Sequence, residues 1–216
     1  MGDDRDPLLR RPLSLYDVDS DTGQITLLYK IVGRGTRILS LYGSDQIIDV
    51  MGPLGQGFNL VEGRRIMMVG GGVGIAPLLF LGRELASRYN QVFVLHGAGN
   101  SDEICSQTRF NNIGVDYMAA TMDGSTGFKG LVTDMMRIID PLSIDHIYTC
   151  GPEPMMAEVA AYAARHGISG QLSLEEHLAC GVGACLGCAR KLKETDEAYV
   201  KICKDGPVFP LEVVKF

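Results

Sequence analysis

Arg65-Ile66-Met67-Met68-Val69-Gly70-Gly71-Gly72-Val73-Gly74-Ile75-Ala76-Pro77 is the stretch whose reading decides the fold. Arg65–Val69 is a largely apolar strand, the glycines form a turn, and a helix follows from about Gly74 to Tyr89. The uncharged run extends from Ile66 to Gly82, seventeen residues between Arg65 and Arg83, just under the usual membrane-spanning length. Its five glycines and Pro77 favour a strand, a turn and a buried helix over a membrane span. Such a turn offers backbone N–H groups and a helix N-terminus to a pyrophosphate. It does not strictly match G-x-G-x-x-G, so a purely structural turn stays open at this point.

Outward from that turn the chain alternates strand and helix. Further strands are expected at Gln91–His96, Val115–Thr121 and His146–Cys150, and helices at about Lys129–Ile139 and Pro152–His166. Strands separated by helices of this length predict parallel βαβ units in a doubly wound sheet, an α/β fold over residues 63–172. Residues 1–62 have a different texture, with expected strands at Leu8–Leu15, Gln24–Val32 and Gln46–Val50 broken by Gly23 and Gly33-Arg34-Gly35. That pattern predicts a meander or β-barrel, with one helical turn at Thr36–Tyr42. Residues 173–216 form a third region, a small cysteine-bearing module with a short strand at Tyr199–Ile202.

The cysteine module carries the most specific chemistry. Cys180, Cys185 and Cys188 stand in the spacing C-x4-C-x2-C, and Cys203 follows after fourteen intervening residues. This is the plant-type ferredoxin spacing for a [2Fe–2S] cluster, and the intervening glycines let the backbone approach the sulfurs closely. Four thiolates also suit zinc, although zinc sites more often use two C-x2-C knuckles. Disulfides fit poorly: six cysteines in 216 residues make no disulfide scaffold, and nothing suggests secretion. Cys105 has no neighbouring partner in sequence and is expected to be a small core residue.

Composition narrows the function classes. Hydrophobic residues make up 46% of the chain, enough for a sizeable core. A net charge of −6 and the lack of tryptophan or aromatic–basic interleaving argue against nucleic acid as a partner. The polar, acidic start Met1-Gly2-Asp3-Asp4-Arg5-Asp6 argues against a signal peptide, so a cytoplasmic protein without a membrane segment is expected. The four histidines show no constellation for acid–base catalysis.

Two further motifs are candidates for ligand contacts, with an ordinary strand-to-helix turn around a buried cysteine and a solvated arginine face as the open alternatives. Thr149-Cys150-Gly151-Pro152-Glu153-Pro154 ends a later strand, where open α/β sheets bind ligands, and its cysteine can contact a nicotinamide ring. Arg10-Arg11-Pro12-Leu13-Ser14 opens the barrel-like region, and an arginine fork there can hold flavin phosphates. Gly97 to Thr108 holds Asp102 and Glu103 but no Lys or Arg to pair a 2′-phosphate, which favours NAD over NADP; Arg109 lies just beyond.

Together with Gly-Pro-Leu-Gly at 52–55, these motifs resemble the ferredoxin–NADP reductase superfamily. Ser173-Leu174-Glu175-Glu176-His177-Leu178-Ala179-Cys180-Gly181-Val182-Gly183-Ala184-Cys185-Leu186-Gly187-Cys188 is similar to one branch of it, as is Val200-Lys201-Ile202-Cys203-Lys204-Asp205-Gly206-Pro207-Val208-Phe209. That branch comprises the electron-transfer subunits of NAD-dependent (class 1B) dihydroorotate dehydrogenases. The resemblance covers nearly the whole chain from Asp6 onward. It implies a Greek-key flavin barrel over 1–62, a nicotinamide-dinucleotide region over 63–172 and a [2Fe–2S] module over 173–216. Members carry further strands before Asp-Pro-Leu-Leu-Arg-Arg-Pro, so a partial barrel with an unpaired edge is expected here.

The resemblance also implies the sites. FAD is expected against Arg11, Pro12, Leu13 and Ser14, against Leu28, Tyr29 and Lys30, and at Gly35 and Thr36. NAD is expected over Gly70, Gly71, Gly72, Val73 and Gly74, with its nicotinamide near Cys150, Gly151 and Pro152. The cluster ligands are expected to be Cys180, Cys185, Cys188 and Cys203. The implied activity is an oxidoreductase relay in pyrimidine biosynthesis. A flavin-containing catalytic partner subunit oxidises dihydroorotate, and electrons pass through [2Fe–2S] and FAD to NAD⁺. A heterotetramer with two of each subunit is expected. The rivals are a flavin and iron–sulfur subunit of another complex, such as a hydrogenase, a sulfite reductase or a ferredoxin:NADP oxidoreductase, and a zinc-binding module without enzymatic activity.

Overall fold

The run that opens at Arg65 becomes the middle of a seven-stranded sheet. The computed structural model describes residues 7–192 and 199–216. Its strands are β1 (Leu15–Asp19), β2 (Gln24–Leu27), β3 (Arg65–Gly71), β4 (Gln91–Ala98), β5 (Asp116–Thr121), β6 (Phe128–Lys129), β7 (His146–Cys150), β8 (Ser169–Ser173), β9 (Ala189–Lys191), β10 (Tyr199–Lys201) and β11 (Val208–Pro210). The helices are α1 (Arg34–Leu39), α2 (Ala76–Ala86), α3 (Gln107–Asn112), α4 (Val132–Arg137) and α5 (Glu153–His166). Among the described residues, no helix is long and apolar enough to cross a membrane.

The sheet order is β11-β8-β7-β3-β4-β5-β6, parallel except for the antiparallel edge strand β11. From β3 the chain winds outward through β4, β5 and β6, then returns to β7 on the other flank of β3. The strand order therefore reverses between β3 and β7, and a crevice opens there at the carboxyl ends. β3 is buried from Ile66 to Gly71, as a central parallel strand covered on both faces should be. Alternation along it divides the core. Met67 and Val69 join α4 and α5, whereas Ile66 and Met68 join α2, α3 and Tyr16 of β1.

Local signals explain the helix ends. Pro77 sits in the first turn of α2, where a missing N–H costs nothing. α5 ends at Gly167, whose φ of 65° is left-handed, after Arg165 and His166 in its last turn. The expected helix at Lys129–Ile139 is shorter. Phe128–Lys129 pairs with β5, Gly130 turns with φ of 137°, and only Val132–Arg137 is α-helical. β8, β11 and α3 have no counterpart in the sequence reading. Cys105 is exposed rather than in the core, because the next residue, Ser106, takes the buried place and receives a hydrogen bond from the Tyr16 hydroxyl at 3.0 Å.

The N-terminal region departs furthest from expectation. Its regular strands are the hairpin β1–β2, and residues 8–14, 28–32 and 46–50 are not strands. Those three segments have no partner strand among the described residues, and a ladder needs one. The expected turn of helix forms at α1, two residues early. A two-stranded sheet, not a closed barrel, is what the described residues form there. Its surface is apolar: Ile47 is 95% exposed, Leu8 80% and Val32 79%.

Side chains of the sheet clip this region in place. The Tyr148 hydroxyl donates to the Asn59 carbonyl at 2.6 Å, and the Asn59 N–H donates to Gln171 Oε1 at 2.8 Å. Phe58 lies edge-on to the Tyr148 ring, with centroids 5.5 Å apart. At the opposite end of the strands, Asp145 accepts from the Arg65 backbone N–H at 2.9 Å and from its guanidinium at 2.8 and 3.1 Å. The Arg65 side chain, and next its N–H, hold the Asp145 carboxyl well below the usual carboxylate range.

Two stability outcomes follow. Tyr148→Phe strands the Asn59 carbonyl and is expected to lower unfolding stability by about 1 kcal/mol in urea titration. A depressed carboxylate pKa contributes stability that is present above the unfolded value and lost as pH falls through the folded one. Asp145→Asn should therefore lower Tm at neutral pH and flatten its decline below roughly pH 4, as scanning calorimetry from pH 7 downward would record.

Candidate functional site

The glycine turn and the Cys150 turn meet across the β3–β7 crevice. Gly70 and Cys150 are paired in register. A Cβ on Gly74 would stand 2.5 Å from the Cys150 carbonyl oxygen and 2.6 Å from the Gly151 Cα. A Cβ on Gly71 would stand 2.6 Å from Pro152 Cδ and 2.7 Å from Met155 Sδ. Both turns thus approach backbone to backbone, which only glycine allows. The helix behind the turn begins with the 3₁₀ residues Gly72–Ile75 and continues into α2, so unpaired N–H groups face the crevice mouth. The residues present fit a dinucleotide pyrophosphate. Cys150 is buried, and its thiol is pushed up to about 12 by that burial, so it is a neutral, apolar wall.

One sheet position along, the loop after β4 carries an acid. Glu103 Oε2 accepts from the Gly99 N–H at 2.9 Å and Oε1 from Lys30 Nζ at 2.6 Å. The Lys30 hydrogen bond is the main cause holding the Glu103 carboxyl below its ordinary value. Lys30, expected at a flavin, thus also links the N-terminal region to this loop. Beneath the glycine turn, His96 is wholly buried and reaches the Gly72 carbonyl at 3.0 Å.

In the N-terminal region, Arg11 is brought to Gly35. A Cβ on Gly35 would stand 2.9 Å from Arg11 Nε. Thr36 organises the turn: its Oγ1 accepts from the N–H groups of Val32 (3.0 Å) and Gly33 (3.2 Å) and donates to the Gly33 carbonyl. An arginine over a glycine-opened turn is the donor set that a flavin phosphate requires. Pro12, Leu13 and Ser14 precede β1, and Leu28, Tyr29 and Lys30 follow β2, so both segments leave the same end of the hairpin.

The four thiols gather in two pairs. Cys188 and Cys203 have their sulfurs 3.3 Å apart, and Cys180 and Cys185 are hydrogen-bonded to each other. Backbone N–H groups converge on them. Gly183 donates to Cys203 Sγ at 3.2 Å, Ala184 and Cys185 to Cys180 Sγ at 3.3 and 3.4 Å, and Cys203 to Cys188 Sγ at 3.5 Å. Gly181 and Gly183, with φ of 70° and 79°, fold the loop so that its amides face the sulfurs. Hydrogen bonds from the N–H of Val182 and then of Cys185 pull the Cys180 thiol down to about 6, whereas burial pushes Cys203 up. Among the described residues, no three His, Cys, Asp or Glu side chains converge as a single ion would need. Two pairs with amides on the sulfurs fit a two-metal cluster better than one ion.

This module is fastened to the crevice rather than beside it. Cys188 and Cys203 belong to the same core cluster as Met156, Val159 and Leu172. Arg190, two residues after Cys188, pairs with Glu153 at the start of α5 and with Glu176 at 2.9 Å. Gly55 and Gly181 mark two more contacts: a Cβ on Gly55 would strike the Gly206 carbonyl, and one on Gly181 would stand 2.7 Å from Met51 Cε. The sequence reading assigned no role to Arg190, Glu153, Glu176, His96 or Tyr117: Glu153 and Glu176 lie inside quoted motifs without being singled out, and the others stand in none.

Comparison with known proteins agrees with this arrangement. The iron–sulfur cluster binding domain of dihydroorotate dehydrogenase B matches residues 175–215, and the oxidoreductase NAD-binding domain matches residues 68–161. The electron transfer subunit of dihydroorotate dehydrogenase B (NAD(+)) from Desulforamulus reducens is 42% identical over 212 residues, covering 97% of this chain and 81% of the relative. The subunit of the same name from Fusobacterium nucleatum is 38% identical over 215 residues, again covering 97% and 81%. Among solved structures, the NADH-dependent reduced ferredoxin–NADP oxidoreductase, described for flavin-based electron bifurcation, superposes with a TM-score of 0.82. It is 32% identical, and the match covers 95% of this chain and 74% of that one. With the paired thiols, the glycine crevice and near-full-length identity in agreement, the chain belongs to the family of dihydroorotate dehydrogenase B (NAD(+)) electron transfer subunits.

Proposed function

We propose that this chain carries electrons from a flavin-containing, dihydroorotate-oxidising partner subunit to NAD⁺, in pyrimidine biosynthesis. The observation that carries the reading is the four-thiol site, whose inner pair Cys188 and Cys203 packs in the same core as Met67, Val69 and Ile147 of the strands that form the glycine crevice. When bound, the [2Fe–2S] cluster supplies one-electron transfer and FAD the exchange between one- and two-electron steps that ends in hydride transfer to NAD⁺.

The chain's own residues bind, orient and insulate. Cys180, Cys185, Cys188 and Cys203 hold the cluster, and the amides of Gly183, Ala184 and Cys185 stabilise its negative sulfurs. Arg11, Pro12, Leu13 and Ser14, with Leu28, Tyr29, Lys30, Gly35 and Thr36, border FAD, and Arg11 supplies charge to its phosphates. Gly70, Gly71, Gly72, Val73 and Gly74 hold the NAD pyrophosphate, and Cys150, Gly151 and Pro152 wall the nicotinamide. Glu103 holds the Lys30 ammonium and the Gly99 N–H, so the cation brought to this loop is engaged rather than free for a 2′-phosphate, which favours NAD over NADP.

The division of labour follows the three regions 1–62, 63–172 and 173–216. The first contributes to a Greek-key flavin barrel, which accounts for the exposed apolar surface around Leu8, Val32 and Ile47. The partner docks on the cysteine side, where Val182 and Leu186 are exposed beside the thiols. Two copies of each subunit form the assembly, and it works in the cytoplasm.

The test is spectroscopic. Protein purified anaerobically is expected to carry flavin and about two irons per chain, with both absorbances bleached by NADH. A colourless, zinc-containing sample would defeat the relay. Cys185→Ala should lose the cluster absorbance and electron transfer to or from the partner while keeping NADH-dependent flavin reduction. Partner-linked turnover retained in that variant would contradict the order of carriers.

A further inference from the structure

Buried His96 and half-buried Tyr117 make a polar chain that the electron relay does not use. His96 lies in β4, opposite Gly70 in register, and is wholly buried. Its Nε2 is 3.0 Å from the Gly72 carbonyl oxygen and its Nδ1 is 2.7 Å from the Tyr117 hydroxyl. A carbonyl oxygen only accepts, so Nε2 carries the ring proton and Nδ1 accepts from the Tyr117 O–H. Burial lowers the His96 pKa and raises that of Tyr117, so both stay neutral near pH 7. The Tyr117 ring is fixed in turn by stacking on Phe110, centroids 5.5 Å apart.

Burying an imidazole in a sheet is costly unless both nitrogens are bonded, and an apolar side chain would fill the place without that requirement. What the imidazole adds is a donor under the turn. Gly72 has φ of 53° and lies between Gly71 and Val73, with open space where a Cβ would stand, so no side chain of its own holds that residue. The Gly72–Val73 peptide is planar and trans, so its N–H points opposite to its C=O. Drawing the carbonyl down toward His96 turns the Val73 N–H up toward the crevice.

We propose that His96 and Tyr117 are positioning residues for the dinucleotide: their hydrogen-bond chain anchors the Gly72 carbonyl and thereby aims the Val73 N–H at the pyrophosphate. The proposal rests on the reading that NAD occupies the glycine turn. Its action is on affinity, because the peptide it orients touches the phosphates and not the reacting ring.

Three variants of the full chain, loaded with its cofactors, test it: His96→Leu, His96→Gln and Tyr117→Phe. NAD⁺ binding by calorimetry and NADH-dependent dye reduction are the measurements. His96→Leu is expected to raise the Kd for NAD⁺ and the KM for NADH about tenfold, with kcat kept within about twofold. His96→Gln retains a terminal N–H donor for Gly72 and should return both to within about threefold of wild type. Tyr117→Phe, which only frees the imidazole, should raise both about threefold. An unchanged Kd in folded His96→Leu, or in Tyr117→Phe if the leucine variant does not fold, would overturn the proposal. A fall in kcat equal to the rise in KM, unrelieved by glutamine, would also overturn it, pointing to a general structural role. No saturable NAD⁺ binding by the wild-type chain would remove the underlying reading as well. Saturable binding with wild-type affinity in all three variants would remove this proposal alone.

Discussion

Gly74 stands where two backbones touch. Its hydrogen occupies the gap between the glycine turn and the Cys150 carbonyl, a gap in which even a methyl group would lie at 2.5 Å. That approach sets the spacing of β3 and β7 at their carboxyl ends, and with it the crevice at the switch point. Gly71 and Gly151 repeat the constraint on either side, each facing the other turn or Met155. A site whose walls are main chain has rigid, directional donors and cannot be widened by a rotamer change. The price is that these glycines give up side chains that could have packed the core.

The thiol site follows a different logic, in which charge rather than space is arranged. Amides reach the sulfurs from a loop that Gly181 and Gly183 fold back on itself, and the apolar core supports Cys188 and Cys203 from beneath. The outer pair, Cys180 and Cys185, faces outward, with Cys185 exposed. One side of such a centre is therefore screened from water while the other is open, a difference that tunes reduction potential through local dielectric. Arg190 between Glu153 and Glu176 joins this loop to the start of α5.

How much of this was legible in the sequence depended on whether a signal was local. The strand, turn and helix around Gly70–Pro77 were plain, because apolar run, glycines and proline fall within thirteen residues. The cysteine spacing was equally readable, whereas the meeting of the Gly74 and Cys150 turns across β3 and β7 came only with the sheet order. β8 and β11 were not: Ser169-Gly170-Gln171-Leu172-Ser173 has little strand character and is a strand only because β7 and β11 flank it. In the N-terminal region the opposite error arose. Leu8–Leu15 and Gln46–Val50 look like strands, but their hydrogen bonds need partners that the described residues do not supply. His96 escaped notice because a single histidine in an apolar strand carries no pattern, and only the distance to Gly72 gives it meaning.

The membership of Cys188 and Cys203 in the nucleotide-side core bears on how the molecule comes to exist. Cys188 and Cys203 sit against the same apolar cluster as Val159 and Leu172, while Cys180 and Cys185 stay toward solvent. Access to the site is therefore one-sided: iron and sulfide can arrive past the outer pair with the core already closed behind the inner one.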